Sequence, residues 1–368
     1  MHDDITVFVG LDVHKQSIAI AVAAPGREAP RFVGTTGPQL EELLKALSHL
    51  GPAANLLLAY ESGPCGYVLA RALAERGYRC QVIAVAKIPR KPGERVKTDR
   101  RDALTLARYL RAGELTPVAI PDARDEAIRD LSRAREDAVR ARLKARQQLK
   151  AMLLRHGLRY DGKSSWTAAH ERYLSKVTFG HPAQSFAYSE YRSAVRDAHE
   201  RVERLTDELR SQVRDWRFAP VVAALMSLRG IELVAAVTLC AELGDLSRFA
   251  HPSQLMAYLG LVPSEYSSGE SRVQGRITKT GNAHVRRILI ESAWTYRFHA
   301  NLSATLLARQ EGQSPAVRQI SWRAQQRLCG RFRRLKARGL HLNKICVAIA
   351  RELAAFVWDV AREVPPKP

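Results

Sequence analysis

The chain has 368 residues, 46% of them hydrophobic, and carries 58 lysines and arginines against 37 acidic residues, a formal charge of +21. That length exceeds what one hydrophobic core usually serves, so two or three domains are expected, and the charge calls for an anionic partner, nucleic acid above all. No stretch approaches the apolar length of a membrane-spanning helix and no secretory signal pattern opens the chain, so the expectation is an intracellular protein with no membrane association.

The five cysteines, Cys65, Cys80, Cys240, Cys329 and Cys346, have no paired or ligand spacing and read as reduced thiols in the core. Residues 5–10 form a β-branched and aromatic run, residues 17–23 a second, and Asp12 sits at the end of the first strand. Residues 31–34 suit a third strand, and residues 39–50 place Leu40, Leu43, Leu44 and Leu47 at helical spacing. The apolar run 55–60 suits a strand buried on both faces and ends at Glu61, beyond which Gly63, Pro64 and Gly66 break the chain. A helix over 68–75 and a strand over 80–85 complete an alternating α/β start.

After the basic loop 87–97, a helix opens at Asp99, and its first turn carries Asp99 and Asp102 on one face. Acids suit a helix N-terminus, so alone this pair describes a well-started helix. Asp12 and Glu61, however, lie at strand ends, where open α/β sheets place their ligand crevice. Four carboxylates so arranged form a candidate site for a divalent cation such as Mg2+, which relieves their repulsion.

Residues 122–159 read as a long helix with eleven basic and five acidic residues between Arg124 and Arg159, either a solvated face or one that tracks phosphates. Residues 157–182 look like an irregular connector, and residues 190–216 like a second charged helix that pairs with the first as a coiled-coil-like hairpin. Residues 221–228 and 234–243 flank Arg229-Gly230-Ile231 as helix, tight turn and helix. The stretch from Gly260 to Asn282 reads as a long polar loop of hydroxyls, glycines and cations: a connector, or a phosphate-handling loop in which one serine is a nucleophile. Arg272, Arg276 and Lys279 lie in it, and Arg286 and Arg287 in the helix that begins near Ala283. Arg318 to Lys344 holds nine basic and no acidic residues, Arg331, Arg333 and Arg334 among them, and fits an electrostatic track for DNA or RNA.

Three blocks resemble the DEDD transposases of the insertion-sequence 110 family, the bridge-RNA-guided recombinases. They are Val9-Gly10-Leu11-Asp12-Val13-His14-Lys15; Tyr60-Glu61-Ser62-Gly63-Pro64 with Lys97-Thr98-Asp99-Arg100-Arg101-Asp102-Ala103; and Leu259-Gly260-Leu261-Val262-Pro263 through Ser267-Ser268-Gly269 to Arg276-Ile277-Thr278-Lys279-Thr280-Gly281-Asn282. The first block alone is shared by many ribonuclease-H-like proteins; the other two are more specific.

The resemblance implies an α/β plus α architecture. Residues 1–120 would form a ribonuclease-H-like, RuvC-like mixed-sheet domain, residues 121–217 a coiled-coil helical hairpin, and residues 218–368 a mainly helical transposase domain with a serine loop. It implies Mg2+ bound by Asp12, Glu61, Asp99 and Asp102, and Ser268, with Ser267 as its neighbouring competitor, as the nucleophile on DNA. The partners implied are DNA at the element ends and the target, a structured non-coding bridge RNA, and further copies of the chain in a homodimer and homotetramer. The setting implied is the bacterial cytoplasm, on the nucleoid. One departure is Gly230-Ile231-Glu232 where the family often has Gly-Ile-Gly. Two other readings stand beside the recombinase: a junction-resolving nuclease that uses metal-activated water, and a non-catalytic nucleic-acid-binding protein.

Overall fold

A computed structural model describes residues 5–89, 98–268 and 271–367, and the chain folds as two compact units, Met1–Asp122 and Ala123–Pro368. The first unit holds strands β1 (Val7–Val13), β2 (Ile18–Ala23) and β3 (Arg31–Thr36), helix α1 (Leu40–Ser48), strand β4 (Leu56–Glu61), helix α2 (Val68–Glu75), strand β5 (Arg79–Ile83) and helix α3 (Asp99–Ala112). The sheet order is β3-β2-β1-β4-β5. β1 and β3 run antiparallel to β2, while β1, β4 and β5 run parallel. This mixed five-stranded sheet is consistent with a ribonuclease-H-like domain.

Period-two alternation explains how the sheet is covered. Val9, Leu11, Ile18, Ile20 and Val22 pack with Leu43 and Leu47 of α1 and Leu73 of α2. The opposite face of β2 carries only Ala19, Ala21 and Ala23, and these meet Ala103 and Ala107 of α3. A face of small side chains lets α3 lie close on the sheet, and that decides where the first turn of α3 falls.

The second unit opens with two long helices, α4 (Ala123–Arg155) and α6 (Pro182–Val213), separated by α5 (Ala168–Lys176). Asp125 bonds Trp216, Arg135 bonds Thr206 and Arg142 bonds His199, so the two segments run antiparallel. α6 begins at Pro182 rather than near residue 190, because Pro182 sits in its first turn and the His181 imidazole caps it by accepting from Ala183 N at 3.2 Å. The expected irregular connector contains α5, capped by the Thr167 hydroxyl and anchored by His170, which is buried among Tyr160, Trp166 and Tyr173.

The remainder is α7 (Ala219–Leu225), α8 (Leu233–Leu243), α9 (Pro252–Tyr258), the hairpin β6 (Pro263–Ser268) and β7 (Ser271–Ile277), α10 (Ala283–Ala293), a 3-10 turn (Trp294–Arg297), α11 (Ala304–Gln310), α12 (Pro315–Ala337) and α13 (Leu342–Glu363). α7, α9, α10 and α12 all pack against α13, whose Ile345, Ile349, Leu353 and Val357 are buried in the largest core. The antiparallel pair joins this bundle through Asp125 with Arg217, Ser132 with Thr238 and Arg133 with Glu242.

The polar loop expected between Gly260 and Asn282 is corrected by the structure: it is largely an antiparallel hairpin, with Tyr266 opposite Val273 and Ser268 opposite Ser271. Its side chains are exposed through much of both strands, so it lacks the apolar alternation by which a strand is read from sequence. The basic loop 87–97 lies mostly outside the described residues. No helix among the described residues is long and apolar enough to cross a membrane.

Candidate functional site

Alternation along β1 sends Gly10 and Asp12 to the face that α3 covers. A Cβ at Gly10 would lie 2.5 Å from Ala107 N and 2.9 Å from Leu106 Cβ, and would meet the Ala103 carbonyl oxygen closer still. Only glycine admits α3 here. Thr98 caps the helix, its hydroxyl accepting from Arg101 N at 3.3 Å, and the first turn carries Asp99 and Asp102 beside the end of β1.

There the Asp12 side chain is 11% exposed. Burial pushes its pKa above the ordinary value of 3.8; attraction and a hydrogen bond from His14 oppose that, and repulsion from Asp102 and Asp99 adds to it. His14 Nε2 lies 3.2 Å from Asp12 Oδ2 and 3.5 Å from Asp99 Oδ1. One ligand atom from each of Asp12, His14 and Asp99 lies within 4.8 Å of the others. Parallel pairing sets Leu11 opposite Tyr60, so Glu61, the last residue of β4, follows in register beside Asp12, one residue before the end of β1. Glu61 and Asp102 are outside the close three-residue group, although Asp102 acts on Asp12 electrostatically.

His14 is the residue that the sequence reading missed as a site member. Its signal was the spacing: a residue two positions beyond a strand-end acid returns to the same face while the chain stays extended. The donor set suits a cation. Carboxylate oxygens are hard ligands, imidazole is a common ligand for divalent metals, and a nearby positive charge reverses what holds the Asp12 proton. The group can therefore hold a metal ion.

In the second unit, Ser268 is exposed at the end of β6, and its neighbour Ser267 donates its hydroxyl to Glu265 Oε1 at 2.8 Å. Arg272 pairs with Ser267 through the backbone of the hairpin. Arg276 and Lys279 are exposed, and Lys279 takes a left-handed φ of 57° where the hairpin returns. Arg286 braces that return: its guanidinium donates to the carbonyls of Leu259 at 2.9 Å and Thr280 at 2.8 Å. Asn282 caps α10 and donates to Glu242 at 2.6 Å. Arg287 bridges Glu136 and Glu291, and Arg331 pairs with Glu352. Arg333 and Arg334 are exposed on α12, whose Leu328 and Phe332 enter the core.

Comparison with known proteins agrees with both halves of this description. A transposase profile, the DEDD type of IS110 elements, matches residues 9–157, which span the acidic group, and a profile described as Transposase IS116/IS110/IS902 family matches residues 222–307, which span the serine hairpin. The chain is 47% identical over 358 residues to a putative transposase, y4qE, of Sinorhizobium fredii, covering 97% of this chain and 88% of the relative. It is 29% identical over 349 residues to the transposase for insertion sequence element IS1533 of Leptospira borgpetersenii, covering 92% and 99%. A third relative, the transposase for insertion sequence element IS1328 of Yersinia enterocolitica, is 25% identical over 315 residues, with 83% and 84% covered. With a buried acid and two flanking donors at the end of the central strand of a mixed sheet, and a relative this similar over nearly its whole length, the chain is an enzyme of the IS116/IS110/IS902 family of DNA transposases.

Proposed function

We propose that this transposase is an RNA-guided DNA recombinase that excises and inserts its own insertion sequence, with Ser268 as nucleophile and Asp12, Glu61, Asp99 and Asp102 as a tetrad that holds Mg2+. The observation that carries the reading is the cluster at Asp12, where a buried carboxyl, an imidazole and a helix-start carboxylate converge in a chain of this family. The bound ion would polarise a phosphate oxygen and steady the oxygen that leaves.

The chain's own residues do the rest. The Ser268 hydroxyl loses its proton to solvent as its oxygen bonds to phosphorus, the bond from phosphorus to a deoxyribose oxygen breaks and that oxygen takes up a proton; on rejoining, a deoxyribose hydroxyl attacks the phosphoserine and the serine oxygen leaves and is reprotonated. The phosphodiester bond is kept as a protein–DNA ester, so rejoining needs no external energy source. Asp12 and Asp99 would hold the ion, and His14, in contact with both carboxylates, fixes their positions. Arg272, Arg276 and Lys279 of the hairpin would contact the nucleic-acid backbone, while Arg286 holds the hairpin's base from α10 and Arg287, paired with Glu136 of α4 and with Glu291 on its own helix, adds positive charge there. Arg331, Arg333 and Arg334 lie along a track for the nucleic-acid backbone.

Functionally the chain then divides at 1–120, 121–217 and 218–368, with the antiparallel helices acting as a coiled-coil hairpin between copies. A homodimer or homotetramer brings the serine of one copy to the acids of another. Work on bacterial DNA places it in the cytoplasm at the nucleoid. The test is reconstitution: purified protein with Mg2+, donor and target duplexes, and RNA transcribed from the element's non-coding end. Strand exchange is expected only when that RNA is present; exchange of equal yield without it refutes RNA guidance.

A further inference from the structure

Exposed aromatic rings are concentrated where α10 ends. Trp294 is 37% exposed and Phe298 is 52% exposed, although the segment that carries them is fixed. Arg229 donates to the His299 carbonyl at 2.6 Å, and the buried Gln325 side chain accepts from Asn301 N at 3.2 Å, so the backbone on the far side of Phe298 is pinned. Arg297 donates to the Trp294 carbonyl at 2.9 Å, its guanidinium lies 5.3 Å from the centroid of Trp294 and 4.2 Å from that of Phe298, and the Arg229 guanidinium lies 5.9 Å from Phe298. Trp294 in turn lies 6.5 Å from Phe332 of α12, beside exposed Arg333. No acidic residue occurs between Ser292 and Gln310, nor between Arg318 and Lys344.

Leaving two aromatic rings partly in water forgoes about 25 cal/mol for each square ångström of apolar surface. Pinning them in place beside arginines makes a surface that offers aromatic rings and positive charge together, which is the chemistry that holds unpaired bases and their phosphates. Duplex bases are already stacked on one another and cannot reach such rings. A second copy of the chain would set Arg297 and Arg333 against like charges. DNA is the substrate of this enzyme class, and strand exchange frees unpaired stretches of it. We infer that Trp294, Arg297 and Phe298 form a stacking platform for single-stranded DNA.

The experiment is equilibrium binding of the full-length protein to a fluorescein-labelled single strand, read by anisotropy, beside the matching duplex and a single-stranded RNA of the same sequence. Phe298→Ala should weaken binding to the single strand by about 5- to 100-fold, the range expected for one stacked base, with an unchanged salt slope. Phe298→Tyr should restore it, and duplex affinity should change by less than about twofold in either variant. Phe298 is exposed, so its truncation leaves the core intact, and a thermal melt checks this.

Unchanged single-strand affinity in Phe298→Ala would overturn the assignment. So would an equal loss for duplex, tighter binding of the RNA than of the DNA strand, or self-association of the wild type that Phe298→Ala abolishes. The assay needs no Mg2+, guide RNA or strand exchange, so its outcome is independent of the recombinase reading.

Discussion

Asp12→Asn is expected to abolish strand cleavage, by about 10³-fold or more, while making the protein more stable at neutral pH. The opposite signs come from one cause. Asp12 is buried, and Asp102 and Asp99 add repulsion that His14 only partly offsets, so the folded state holds its proton more tightly than the unfolded chain does. Stability from this group is therefore present at low pH and is lost as pH rises from 3.8 through the higher folded value.

Asparagine keeps the shape and removes the charge, so its thermal midpoint at pH 7 should be higher than that of the wild type. The wild type should gain its own increase in midpoint when Mg2+ is added, because an ion that binds only the folded state stabilises it, and the asparagine variant should largely lose that response. A variant that melts lower than the wild type at pH 7, or that still cleaves, would contradict this account.

Gly10→Ala is expected to be the most damaging single-methyl change in the first unit. The atoms its Cβ would meet include the backbone of Ala103 and Ala107, which cannot rotate away as a side-chain end can. The helix must lift from the sheet, at a cost of about 3 kcal/mol or more, and with it go Asp99 and Asp102. Activity should fall together with the thermal midpoint and with Mg2+ binding. Gly63→Ala is the control: the nearest atom to its Cβ is Glu61 O at 4.0 Å, so the change should be neutral or slightly stabilising. A Gly10→Ala protein that melts like the wild type would show that the close approach of α3 is not needed.

The parts of the fold that sequence disclosed are those where burial imposes a period. β1, β2 and β4 are apolar runs because both sheet faces are covered, and α3 announces itself through the Thr98 cap and its acidic first turn. The serine hairpin was read as a loop because solvent, not a core, faces most of its side chains, so its pairing left no alternation to find. α5 hid for a related reason. It is nine residues long and is held by an aromatic cluster around His170 instead of an apolar stripe.

At the acidic group, Asp12 and Asp99 were legible from a strand end and a helix start. The contact of His14 with both Asp12 and Asp99 was not, because it depends on how closely α3 approaches β1. Among the basic residues, charge alone could not separate Arg276 and Arg333, which face solvent, from Arg286, whose guanidinium is spent on the carbonyls of Leu259 and Thr280.

If a serine carries the DNA strand, the covalent protein–DNA intermediate can be trapped. The reconstituted reaction would be quenched in denaturant, digested with nuclease and protease, and the peptides read by mass spectrometry. The account predicts a nucleotide phosphate esterified to Ser268, absent from Ser268→Ala, which should yield no cleaved strand. Cleaved strands without any adduct, or an adduct on Ser267, would contradict it; the first of these outcomes would assign the cut to a metal-activated water.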